Sequence, residues 1–174
     1  MNRQEIINAL VENHKTFLDF MDSLNDEQFL SARNDKWAAG QQLDHIYRSV
    51  KPLTLALWLP KFFLRLLFGK ANRDSKTNEA LITKYLDKLE NGGRASGRFV
   101  PQNVQPGEKG KLIKSLSRTV SNLTSLLNKY SEEELDKFVL PHPLLGKLTL
   151  REMMYFTIYH VQHHLKLSRN NLNN

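Results

Sequence analysis

The stretch TLREMMYFTIYHVQHHLKLSRN, Thr149 to Asn170, decides the fold. Thr149 followed by Glu152 is a capping box, in which each side chain satisfies a backbone N–H that the first helical turn leaves without a partner. Leu148 and Met153 stand where a hydrophobic staple would close over that cap, so the spacing predicts a helix from Leu150 to about Asn170. Upstream, Leu112, Ile113, Leu116, Val120, Leu123, Leu126, Leu127 and Tyr130 recur at three-four spacing behind Pro106 and Gly107, which predicts a second long helix. Ile6, Ile7, Leu10, Val11, Phe17, Leu18, Met21 and Leu24 make a third such stripe, and Leu43, Ile46, Tyr47 and Val50 a fourth that begins near Gly40 or Gln41. No stretch sustains the period-two alternation of a strand. The expected class is all-α: a four-helix bundle with additional short helices, one domain over residues 1–174.

Between the long helices the chain is less regular. Asn25 to Gly40 reads as a polar connection with a short turn at Asp26 to Leu30. Pro52 removes a backbone donor and is expected to kink or end the fourth stripe. The segment Leu53 to Gly69, LTLALWLPKFFLRLLFG, is strongly apolar but holds Pro60, Lys61 and Arg65 and falls short of a membrane span. Three readings stand for it: a buried helical hairpin, which is the expected one, a homodimer face, or an interfacial anchor. From Lys70 to Gly110 a long irregular connection is expected, with one helix at Asn78 to Leu89 ended by Asn91-Gly92-Gly93. Ser131 to Glu134 is another capping box, after which Val139 to Pro143 forces extended backbone and Gly146 a turn.

Composition narrows the chemistry. The 174 residues contain no cysteine, which excludes disulfides, zinc-thiolate sites and a protein thiol nucleophile, so any metal must use His, Asp or Glu and any reacting thiol must arrive from outside. Glu5, Glu12 and Lys15 interrupt the apolar core that a secretory signal needs, so the cytoplasm is the expected compartment. A net charge of +7 suits acidic small ligands as well as nucleic acid. No zinc finger, RNP-type aromatic motif or uninterrupted basic helix accompanies that charge, and nucleic acid is not expected as a partner.

Of the six histidines, His160 and His164 are spaced four apart, one above the other on a helix, as two imidazoles sharing a metal must be. A catalytic zinc-like site needs a third ligand from another helix, and His45, mid-helix on or beside an apolar stripe, is the best placed. On spacing alone the alternative stands that His45 is a lone core histidine and the pair a surface feature. His163 lies off the face of the pair, exposed or behind the ligands rather than among them. Val161 occupies the position where a His-Glu-x-x-His metalloprotease carries its base, no Glu-x-x-His pair suggests a di-iron centre, and no Gly-x-Ser-x-Gly elbow or phosphate loop occurs.

Trp37 with Gln41 and His45 on one helix, and His142-Pro143-Leu144-Leu145-Gly146-Lys147-Leu148-Thr149-Leu150-Arg151-Glu152 leading to Tyr159-His160-Val161-Gln162-His163-His164, resemble the DinB/YfiT-like superfamily. That superfamily shows a Trp-led helix with one His, and a last helix that follows a Gly-x-Leu-Thr turn and carries His-x-x-His-His. The resemblance implies a bundle in which His45, His160 and His164 coordinate one divalent metal ion, zinc or nickel, with Trp37, Gln41 and His163 as candidates for pocket-lining or supporting roles. It also implies a thiol S-transferase activity, with a small-molecule thiol and an electrophile as substrates. Three neutral imidazoles leave the metal its full charge, which suits activating such a thiol. A metal-dependent hydrolase with the same ligands and a non-catalytic metal-binding, stress-associated interaction protein are the alternative readings.

Overall fold

The computed structural model of the chain describes residues 1–32 and 36–173, so positions 33–35 of the polar connection lie outside the described residues. Four long helices make the bundle: α1 (Arg3–Ser23), α3 (Ala39–Trp58), α6 (Pro106–Leu127) and α8 (Leu150–Asn173). Shorter helices α2 (Asp26–Leu30), α4 (Lys61–Phe68), α5 (Asn78–Glu90) and α7 (Glu132–Lys137), a 3-10 turn at Gly97–Phe99 and two short strands complete it. α1 and α3 each pack against both α6 and α8.

Apart from Val11, which is exposed, the stripes read from the sequence are the stripes that meet in the core. Ile6, Leu10, Phe17 and Met21 of α1 are fully buried, as are Leu116, Leu123 and Leu127 of α6. Each such side chain withdrawn from water contributes roughly 1.5–3 kcal/mol, so these faces dominate the stability of the bundle. Helix starts are equally local in origin. Asn2 and Glu5, Ser131 and Glu134, and Thr149 and Glu152 form reciprocal side-chain to backbone hydrogen bonds at the starts of α1, α7 and α8. At the start of α3, a Cβ on Gly40 would come within 2.8 Å of the Phe29 ring, so the absence of a side chain there lets α2 lie against α3.

Three expectations are corrected. Of the two outcomes expected at Pro52, the ending does not occur: α3 runs on to Trp58, and burial of Leu53 and Leu57 beyond the proline offsets the ~3 kcal/mol that an interior proline costs. The stretch expected to be merely extended forms a hairpin of β1 (Val139–His142) and β2 (Gly146–Thr149), in register from Val139 opposite Thr149 to His142 opposite Gly146. Four residues per strand, with Pro141 among them, are too few to show an alternating pattern, and a two-stranded edge position tolerates the missing donor. The His142 ring closes the turn, its Nδ1 accepting the N–H groups of Leu144 and Leu145 at 3.1 Å each. Finally, Leu53 to Gly69 is not a buried hairpin. Leu53, Leu57 and Leu64 are buried, but Leu55, Trp58, Phe62, Phe63, Leu66 and Leu67 are exposed.

The long connection between α4 and α6 is irregular as expected, yet pinned at several points. Ala71 donates its N–H to the Lys137 carbonyl at 2.9 Å, and Arg73 makes a two-pronged bond to the buried Glu152 at 2.6 and 2.8 Å. α5 packs on α8, the Tyr85 ring meeting Phe156 edge-on at 5.1 Å. The Gln102 N–H donates to Asp44 at 2.7 Å, which holds the last part of the connection against α3.

Candidate metal centre

α3 and α8 are neighbours in the bundle, and their facing surfaces bring His45, His160 and His164 together, all buried. The Nε2 atoms of His45 and His160 lie 3.2 Å apart, and those of His164 and His160 3.0 Å apart. All three ligand atoms fall within 4.8 Å of one another. A tetrahedral ion with metal–nitrogen bonds near 2.05 Å sets its ligand nitrogens about 3.3 Å apart, so the cluster has nearly the dimensions of such a site.

The outer nitrogens show that lone pairs converge here. His45 Nδ1 is 2.7 Å from the Phe99 carbonyl, which can only accept, so Nδ1 carries the proton and Nε2 presents a lone pair. The Nδ1 of His164 meets Oε1 of Gln42. The Gln42 amide nitrogen points the other way, to the Trp37 carbonyl at 3.4 Å, which leaves the amide oxygen to accept from His164. Two lone pairs therefore face the Nε2 of His160. A proton on that nitrogen can serve one of them, whereas a cation serves all three rings. The donor set thus fits a divalent metal, with Phe99 and Gln42 orienting two of the ligands.

Electrostatics keep the rings in the ligating form. Burial, above all, pushes His160 and His164 well below the ordinary imidazole pKa, with the neighbouring imidazoles adding to it. Burial likewise lowers His45, partly opposed by the Phe99 carbonyl and Asp44. Aromatic rings wall the cluster: Trp37 stacks on His164 at 6.2 Å and 14° and is tilted against His45 at 4.9 Å, while Phe156 stacks on His160 at 4.7 Å.

The remaining candidates fall into place around it. Gln41 caps α3, its Oε1 accepting the Ala38 N–H at 3.0 Å. His163 points away between Tyr85 and Tyr159, with ring centroids 6.1 Å from each. Both acids near the metal helices are engaged elsewhere: Asp44 with Arg48 and the Gln102 N–H, and Glu152 with Arg73 and the N–H groups of Lys76 and Thr149.

His45 and His160 form part of the wall of a cavity of about 530 Å³. Apolar side chains of α3, α8 and the hairpin supply most of its lining, Ser49, Tyr85 and Thr157 its polar patches, and Arg94 and Arg98 its charged rim. No Asp or Glu lines it among the described residues. His142 and His14 do. His14 Nδ1 donates to the Leu10 carbonyl at 2.8 Å, and its buried Nε2 is left without a hydrogen-bond partner.

Sequence reasoning missed four of these contributors. Gln42 differs from any surface glutamine only by the helix face it occupies. Phe99 acts through its carbonyl, for which no side chain gives a signal. His14, alone on the first helix, and His142, in a proline-flanked segment, have no spacing to the other histidines that would mark them, although the bundle turns both toward the cavity.

Fold and site together define a helical-bundle protein with a buried three-histidine cluster able to hold a divalent metal. The family model for the DinB superfamily matches residues 9–168, and the chain belongs to that superfamily. No curated protein matches the chain.

Proposed function

We propose that this protein is a metal-dependent transferase that moves a low-molecular-weight thiol onto an electrophilic compound. The observation that carries the reading is the pairing of a His45, His160 and His164 cluster with a roomy, largely apolar cavity that no carboxylate among the described residues lines. A divalent ion such as zinc or nickel, bound there, would lower the pKa of a thiol or water within reach. A thiol starts near pKa 8.5, far closer to neutrality than water, so it needs no carboxylate base beside it. The chain itself has no cysteine, and the thiol is therefore a substrate.

In the net reaction the thiol loses its proton to solvent, its sulfur forms a bond to the electrophilic carbon, and the leaving group departs with the bonding pair. Apolar walls suit the electrophile, while Arg94 and Arg98 at the rim suit an anionic thiol. Hydrolysis by the same three ligands is the competing reading. It would be favoured by a carboxylate placed to take a proton from water, and Asp44 and Glu152 are both held elsewhere.

The test is metal content of the purified protein by mass spectrometry, followed by turnover of an aryl halide with and without an added small thiol. Near-stoichiometric metal and strictly thiol-dependent product formation are expected. Turnover that needs no thiol would replace the transferase by a hydrolase, and absence of metal after reconstitution with zinc or nickel would remove both.

A further inference from the structure

Among the described residues, most of the exposed large apolar side chains are gathered in α4 and the end of α3, beside the mouth of the cavity. In α4, Phe62 and Leu66 sit one turn apart on the side opposite the buried Leu64, and Phe63 and Leu67 extend the same exposed surface. The end of α3 continues it with Leu55 and Trp58, the latter 74% exposed. Leu55 and Trp58 also line the cavity, together with Phe68 at the end of α4. A contiguous exposed patch of large apolar side chains marks a surface that something covers.

Charge identifies what covers it. The 29 residues from His45 to Arg73 include Arg48, Lys51, Lys61, Arg65, Lys70 and Arg73 but no Asp or Glu. Arg48 is paired with Asp44 one turn back on α3, and Lys61 and Arg73 with Glu134 and Glu152 from elsewhere in the chain, whereas Lys51, Arg65 and Lys70 have no ion pair among the described residues. A second copy docked across a two-fold axis would set these three cations near their own counterparts, with no acid in the segment to compensate. An anionic lipid surface satisfies both features at once: apolar side chains enter the acyl boundary, and Lys51, Arg65 and Lys70 reach the headgroups. Insertion across the bilayer is not the mode, since no helix among the described residues is long and apolar enough to span one.

We propose that α4 and the end of α3 seat this protein on an anionic membrane surface, with the cavity mouth facing the lipid, and that its substrate is an apolar compound dissolved there. The substrate half of the proposal rests on the cavity's being the reaction site; the docking half does not. Three uncompensated cations near an anionic surface strengthen binding by about fivefold each, on the order of a hundredfold together.

The test is flotation of the full-length protein with vesicles of phosphatidylcholine alone and with added phosphatidylglycerol, reading Trp58 emission in parallel. Expected are binding to the anionic vesicles, a blue shift of emission, and roughly hundredfold weaker binding without phosphatidylglycerol. Phe62→Ser with Leu66→Ser, which leaves the core untouched, is expected to abolish flotation while circular dichroism stays unchanged. His45→Ala should still float, so failure of the metal reading and failure of docking are separable. Lack of flotation, flotation that survives the double substitution, or a lipid-free dimer that already shields Trp58 would overturn docking. Turnover of a lipid-dissolved electrophile no faster with vesicle-bound protein than with the double variant would overturn the substrate assignment.

Discussion

The side-chain oxygen of Gln42 accepts the Nδ1 proton of His164, and the amide nitrogen of the same glutamine is held by the Trp37 carbonyl. That relationship sets both the tautomer and the direction of His164 from a residue 122 positions away in the chain. Substituting Gln42→Leu removes the acceptor without touching any of the three ligands. Metal affinity is expected to fall by about 10–100-fold, as it does when supporting partners of ligating histidines are lost. Competition with a chelating indicator measures it, and unchanged affinity would mean that Gln42 only packs.

Metal removal should be visible in stability. A site filled at a thousandfold above its Kd adds about 4 kcal/mol to the folded state, which for a chain of this size corresponds to roughly ten degrees in Tm. Treatment with a chelator is expected to lower Tm by that order in the native protein and to leave the His45→Ala variant unmoved. Equal Tm values with and without chelator would deny the cluster a bound metal.

Acid should destabilise the fold before it protonates the carboxylates. Burial pushes His14 down to about 4, partly opposed by the Leu10 carbonyl, and burial with the nearby Lys84 does the same to His142. An unfolded chain titrates these rings near 6.5, so between pH 6.5 and 4 the unfolded state binds more protons and stability falls as pH falls. His14 alone accounts for about 2 kcal/mol between pH 7 and pH 5. Urea midpoints at the two pH values, compared with those of His14→Leu, should show a shallower pH dependence in the variant. Identical dependence would mean that His14 is not held neutral by the fold.

Glu152 is fully buried and binds Arg73, Lys76 and Thr149 at once, joining the cap of α8 to the start of the long connection. Glu152→Ala removes the cap and leaves the N–H groups of Lys76 and Thr149 without their acceptor, while the partly exposed Arg73 guanidinium turns to water. The expected loss is about 2–3 kcal/mol, read from chemical denaturation. A loss under 1 kcal/mol would show that water replaces the carboxylate without cost.

Much of this molecule is legible from short stretches of sequence because the forces involved act within a turn or two. The four apolar stripes, the Thr149–Glu152 and Ser131–Glu134 boxes and the one-turn spacing of His160 and His164 are properties of neighbouring residues, and each appears where it is read. The partners of the site could not be read this way. His45 finds a carbonyl 54 residues away, and His164 an amide on another helix, because a buried ring nitrogen takes whatever acceptor packing delivers. The same reason separates the two fates of Leu53 to Gly69: its hydropathy specifies a helix with an apolar face, but only the space left beside α3 and the hairpin decides that Leu64 is covered while Phe62 and Leu66 are left facing outward.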